Sequence, residues 1–139
     1  MEPAGELLRF VELLIPFVRQ VETADGLSSS ASSVLHRLVR AGPQRLTELA
    51  RAQGVSQPGM TQLVGRLERD GLVRREASAA DGRGVVVEVT DEGRELSRNR
   101  RAERVELLAG MIEAAPPEDR AAIVAALPAL TRLIEARVG

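Results

Sequence analysis

The chain has 139 residues, 44% hydrophobic and 28% charged, an ordinary globular composition with enough length for a real core. It has no cysteine and a single histidine, His36, which excludes disulfides, thiolate metal sites and thiol redox sensing and argues against a metal or other cofactor. The net charge of −1 hides a basic centre, fourteen Arg against ten acids over residues 34–104, between acidic flanks; that pattern suits a module facing a polyanion.

The chain opens MEPAGELL, acidic where a signal peptide is basic, and no apolar run approaches the ~18 residues that span a bilayer. A cytoplasmic protein without a membrane partner is expected. Over residues 6–22, Leu7, Val11, Leu14 and Val18 fall on one stripe of an amphipathic helix, which Pro16 should kink or divide near residue 15. A second helix is predicted from about 29 to 41. Ser28 is its N-cap, Ala31, Val34, Leu35 and Leu38 form its inner stripe, and Gly42-Pro43 ends it. In RLTELARAQGV, Thr47 reads as the cap of a short helix that turns at Gly54.

The stretch SQPGMTQLVGRLERDG carries the densest signals. Ser56 is an N-cap, Pro58 lies in the first turn, and Val55 and Met60 take the two positions of a hydrophobic staple. Met60, Leu63, Val64 and Leu67 make the inner stripe. At 100° per residue the opposite face holds Pro58, Gly59, Thr61, Gln62, Gly65, Arg66 and Arg69, and Gly71 ends the helix. From residue 72 the period changes to that of strands. LVRREA and GVVVEVT flank a turn at Asp81-Gly82 and make a β-hairpin with Arg83 near its tip. Thr90 or Asp91 caps a long helix of roughly 92–113, Pro116-Pro117 breaks it, and a last helix of about 118–137 is bent at Pro128.

Short helix, glycine turn, capped helix and hairpin, in that order, make a winged helix-turn-helix. A helix fits the DNA major groove, and its N-terminal residues reach base edges. Compact Pro58 and Gly59 allow close approach, while Ser56 and the backbone N–H groups at that end suit a phosphate. Gln62 can pair with adenine, Thr61 can touch a thymine methyl, and Arg66 can reach guanine or phosphate. Arg83 at a hairpin tip suits a narrow minor groove. The candidate DNA contacts are therefore Ser56, Gln57, Pro58, Gly59, Thr61, Gln62, Arg66 and Arg83. Arg74 and Arg75 alternate along a strand, so at most one of them faces DNA.

The block from Leu27 to about Ile112 resembles the MarR family of bacterial transcription regulators. The resemblance lies in LTELARAQGVSQPGMTQLVGRLERDGLVRR, the wing-tip Asp81-Gly82-Arg83 and the junction VEVTDEGREL. It implies a mainly α fold with a small β-hairpin wing. The winged helix-turn-helix (27–91, wing 72–90) would be flanked by dimerisation helices at 1–26 and 92–139. It further implies a homodimer that reads a palindromic operator in double-stranded DNA, usually as a repressor, with Asp81 orienting Arg83. In such proteins a small anionic or phenolic effector releases the DNA; its binding residues cannot be read here.

The apolar stripes at both termini argue for a two-fold partner independently of the resemblance, because a monomer would expose them. Two rival readings are a dimeric winged-helix adaptor that binds protein and a small enzyme. Against the enzyme, the sequence has no clustered His, Cys or carboxylate constellation and no phosphate-cradling glycine loop.

Overall fold

The computed structural model describes residues 2–23, 26–77 and 84–138. Its elements are α1 (Pro3–Thr23), α2 (Ser29–Ala41), β1 (Gln44–Arg45), α3 (Leu46–Gln53), α4 (Gln57–Arg69), β2 (Val73–Ala77), β3 (Val85–Val89), α5 (Asp91–Ala114) and α6 (Pro117–Val138). The chain divides into two units, residues 1–99 and 100–139, and the boundary falls inside α5.

The helix starts follow from side-chain oxygens that satisfy otherwise unpaired N–H groups. Ser28 Oγ accepts from the Ala31 N–H at 3.1 Å and opens α2; Gly42, at φ 81°, closes it. Ser56 Oγ accepts from the Gly59 N–H at 3.1 Å and opens α4. Of the two candidates at the start of α5, Thr90 is the cap: its Oγ1 accepts from the Gly93 N–H at 3.1 Å. Thr47 is not a cap. The chain passes from β1 straight into α3 with Arg45 at the N-cap position, because Leu46 must already turn inward to the core. The Glu48 carboxylate reaches back to the Arg45 N–H at 3.4 Å.

Pro16 does not divide the first helix, and α1 runs unbroken across it. A proline removes one backbone hydrogen bond, and the bonds on either side carry the helix through. The sheet is antiparallel with strand order β1-β3-β2. In the hairpin Val73 pairs with Val89, Arg75 with Val87 and Ala77 with Val85. The two-residue β1 adds a third strand, Gln44 opposite Val87, too short to leave a period in the sequence.

One core joins α2, α3, α4 and the strands. Leu35, Leu38, Leu49, Met60, Val64, Leu67, Val73 and Val87 are fully buried within it. Each such side chain contributes at most about 1.5–3 kcal/mol. Leu63, expected in the inner stripe of α4, is only half-buried and packs against the edge of this core. In the second unit α6 buries none of its residues.

The junction between α4, β2 and α5 is close-packed backbone. Thr90 Oγ1 donates to the Gly71 carbonyl at 2.6 Å, and the Thr90 N–H donates to the Leu72 carbonyl at 3.0 Å. Gly93 lies directly over that turn: a Cβ there would stand 2.2 Å from the Leu72 carbonyl oxygen. Glycine is the residue this contact admits. The lock fixes the first turn of α5 against the end of α4 and the start of the wing.

Candidate nucleic-acid interface

α4 presents the face that the sequence predicts, with two exceptions. Ser56, Gln57, Pro58, Thr61, Gln62, Arg66 and Arg69 are exposed along it. Gly65 is buried although its helical position points outward, and Gly59 is half-buried. A glycine has no side chain to project, and Arg69 leans back over Gly65, its Nη1 lying 3.7 Å from where a Cβ would be. The outward surface of α4 is therefore flat at Gly65, between a proline-headed first turn and two arginines.

The first turn is more committed than its sequence suggests. Pro58 has no N–H, and Ser56 takes the N–H of Gly59. Of the first three residues of α4, only Gln57 retains an N–H without a described partner. A phosphate at this pole would thus meet one backbone donor and the Ser56 hydroxyl, not a nest of amides. Thr61 turns its hydroxyl back into the helix, donating to the Gln57 carbonyl at 2.9 Å. Among the described residues the side chains of Gln62 and Arg66 have no hydrogen-bond or ion-pair partner, so both remain available for an outside ligand.

Both strand arginines are held by carboxylates. Arg74 donates to Glu88 Oε1 through Nε and Nη2 at 3.2 and 2.9 Å. That pairing raises the Arg74 pKa, first through the hydrogen bond and then through the charge of Glu88. Arg75 donates its backbone N–H to Glu68 Oε2 and its Nε to Glu68 Oε1, each at 3.0 Å. These bonds hold the Glu68 carboxyl below its usual range, the backbone bond most and the side-chain bond next. Both strand arginines are thus paired with carboxylates, and their side chains stay partly exposed, at 56% and 37%. Sequence reasoning missed Glu68 as a clamp; its signal is an acid in the last turn of the helix, facing an Arg on the next strand.

Asp81 and Arg83 lie outside the described residues. His36 is exposed on α2, and no group of three or more metal-ligating side chains occurs among the described residues. No described helix is long and apolar enough to cross a membrane.

A capped helix packed by its inner stripe, a preceding short helix and a following hairpin define a winged helix-turn-helix. Residues 25–84 match the family model described as the MarR family. The chain is 30% identical over 109 residues to the helix-turn-helix-type transcriptional regulator YfiV of Bacillus subtilis (strain 168), covering 78% of this chain and 68% of that one. Its fold is similar to that of the transcriptional regulator Tm0710 from Thermotoga maritima, with a TM-score of 0.76, 25% identity and coverage of 98% and 96% of the two chains. It is also similar to that of Streptococcus pneumoniae FabT in complex with DNA, with a TM-score of 0.70, 18% identity and coverage of 96% and 98%. The chain belongs to the MarR family and is a DNA-binding transcriptional regulator.

Proposed function

We propose that this protein is a cytoplasmic homodimeric repressor that reads a palindromic operator. Residues 27–91 act as the reading head, and residues 1–26 and 92–139 as the dimerisation helices. The observation that carries the reading is the outer face of α4, where Gln62 and Arg66 stand exposed and uncommitted beside a compact first turn. Gln62 offers an amide whose two ends match the N6 and N7 edge of adenine; Arg66 offers a fork for guanine or a phosphate. Ser56, Gln57, Pro58 and Gly59 bring the helix end close to the duplex, and Thr61 adds a contact of its own. Arg83, steadied by Asp81, enters the adjacent minor groove. A structural relative solved in complex with DNA supports this mode of use.

Two copies are needed because the protomer exposes too much apolar surface. On α1, Leu8, Phe10 and Leu13 are 58%, 51% and 66% exposed. On α6, Ile123, Val124, Leu127, Leu130, Leu133, Ile134 and Val138 are all exposed. Patches of this extent mark an interface, and a second copy supplies the same apolar chemistry in two-fold symmetry. The pairing sets the two α4 helices about one turn of DNA, ~10 bp, apart. A small anionic or phenolic effector that alters this spacing would release the operator.

Retention on random-sequence duplex DNA at low salt tests the reading. A DNA reader is retained and loses affinity steeply as salt rises. A dimer with no salt-dependent retention at any protein concentration would instead be an adaptor that binds protein.

A further inference from the structure

The reading face contains one side chain whose polar end is already spent. Thr61 is exposed on α4, yet its only hydroxyl proton goes to the Gln57 carbonyl, 2.9 Å away in the preceding turn. Threonine adopts this back-bonded rotamer readily in helices, and it places the methyl on the other branch of Cβ. The neighbours on the same face sharpen the effect. One turn before Thr61 stands the ring of Pro58, and one turn after it Gly65, which has no side chain. The result is a small apolar spot with no proton to donate.

We infer that Thr61 reads the C5-methyl group of a pyrimidine and does not favour thymine over 5-methylcytosine, so that operator binding responds to cytosine C5 methylation. The inference rests on the DNA-reading role assigned to α4 above. In the major groove thymine shows a methyl beside the O4 acceptor. A 5-methylcytosine shows the same methyl beside an N4 amine. Preferring thymine at this position requires a donor for O4, and Thr61 has given its proton to Gln57; the Oγ1 lone pairs that remain can only accept, which suits the N4 amine of 5-methylcytosine. Deoxyuridine and unmethylated cytosine both lack the group that is recognised.

The test uses the full-length protein and a duplex selected from a random pool. Each thymine of a half-site is replaced in turn by deoxyuridine, and then by cytosine or 5-methylcytosine with guanine opposite. At one position per half-site, deoxyuridine and cytosine should weaken binding roughly fourfold, the effect of one buried methyl. At that position 5-methylcytosine should restore affinity to within about twofold of thymine, on the same scale. Thr61→Val keeps the outward methyl and should preserve this ranking; Thr61→Ser keeps the hydroxyl and should abolish it. Equal melting temperatures for the two variants exclude a folding effect.

Retention of the duplex with no methyl dependence at any position overturns this inference and leaves the DNA-reading role standing. So does a 5-methylcytosine bound no better than cytosine. Absence of any salt-dependent retention overturns both.

Discussion

Glu68, in the last turn of α4, holds Arg75 of β2 at two points: one carboxylate oxygen takes the backbone N–H and the other takes the guanidinium, each at 3.0 Å. β2 is an edge strand, paired only with β3. The Arg75 N–H is turned away from the ladder, and Glu68 covers a donor that an open edge would otherwise offer to another chain. The same carboxylate ties the C-terminal end of α4 to the root of the wing.

This pairing predicts a pH dependence. The folded-state pKa of Glu68 is lowered, so the ionised clamp is stabilising above the ordinary glutamate range and is lost as pH falls through the depressed value. Amide exchange at Arg75, measured against Val87 in the neighbouring strand, should rise relative to it as the solution is acidified. Glu68→Ala should show the faster exchange already at neutral pH. An Arg75 amide indifferent to both changes would mean that the clamp does not persist in solution.

Two helical glycines should respond oppositely to alanine. At Gly93 a Cβ would meet the Leu72 carbonyl oxygen at 2.2 Å and Val89 Cγ2 at 2.7 Å. Backbone cannot yield there cheaply, and Gly93→Ala should destabilise by about 1–3 kcal/mol. At Gly65 the nearest atom is the mobile end of Arg69 at 3.7 Å, so Gly65→Ala should stabilise by roughly 0.5–1 kcal/mol through reduced chain entropy. Urea unfolding of the two variants checks the pair; the opposite order would contradict the packing.

Gln62→Ala should weaken binding to the selected operator by roughly 1–3 kcal/mol and relax discrimination at one base pair per half-site. Titration of the variant against operators altered at single positions measures both effects. Unchanged affinity with unchanged base preference would remove Gln62 from the set of readers.

Arg83→Ala should act differently. A side chain in the minor groove contributes charge more than sequence, so affinity should fall nearly evenly across sites. The slope of log affinity against log salt should drop by about one unit. A slope that stays the same would argue against insertion of Arg83.

Much of this molecule is legible in its sequence where local chemistry decides. Ser28, Ser56 and Gly42 announce helix boundaries because caps and left-handed turns are satisfied by neighbours a few residues away. The inner stripe of α2 was readable for the same reason: Ala31, Val34, Leu35 and Leu38 repeat at helical spacing and are all buried. The exposed outer face of α4 followed from one period and one composition.

What escaped depends on partners distant in the chain. β1 exists only because β3 lies beside it. Thr47 has the right chemistry for a cap, but the neighbouring Leu46 is needed in the core and takes the helix start two residues earlier, with Arg45 at the cap position. Glu68 and Arg75 meet only when the wing folds back against α4.

The most direct test of the central claim is selection of bound duplexes from a random pool, because it reads DNA recognition, symmetry and spacing in one measurement. The account predicts an enriched palindrome whose half-sites are centred about one helical turn, ~10 bp, apart. Enrichment of a single unpaired half-site, or no enrichment at salt low enough to hold any DNA-binding protein, would contradict it.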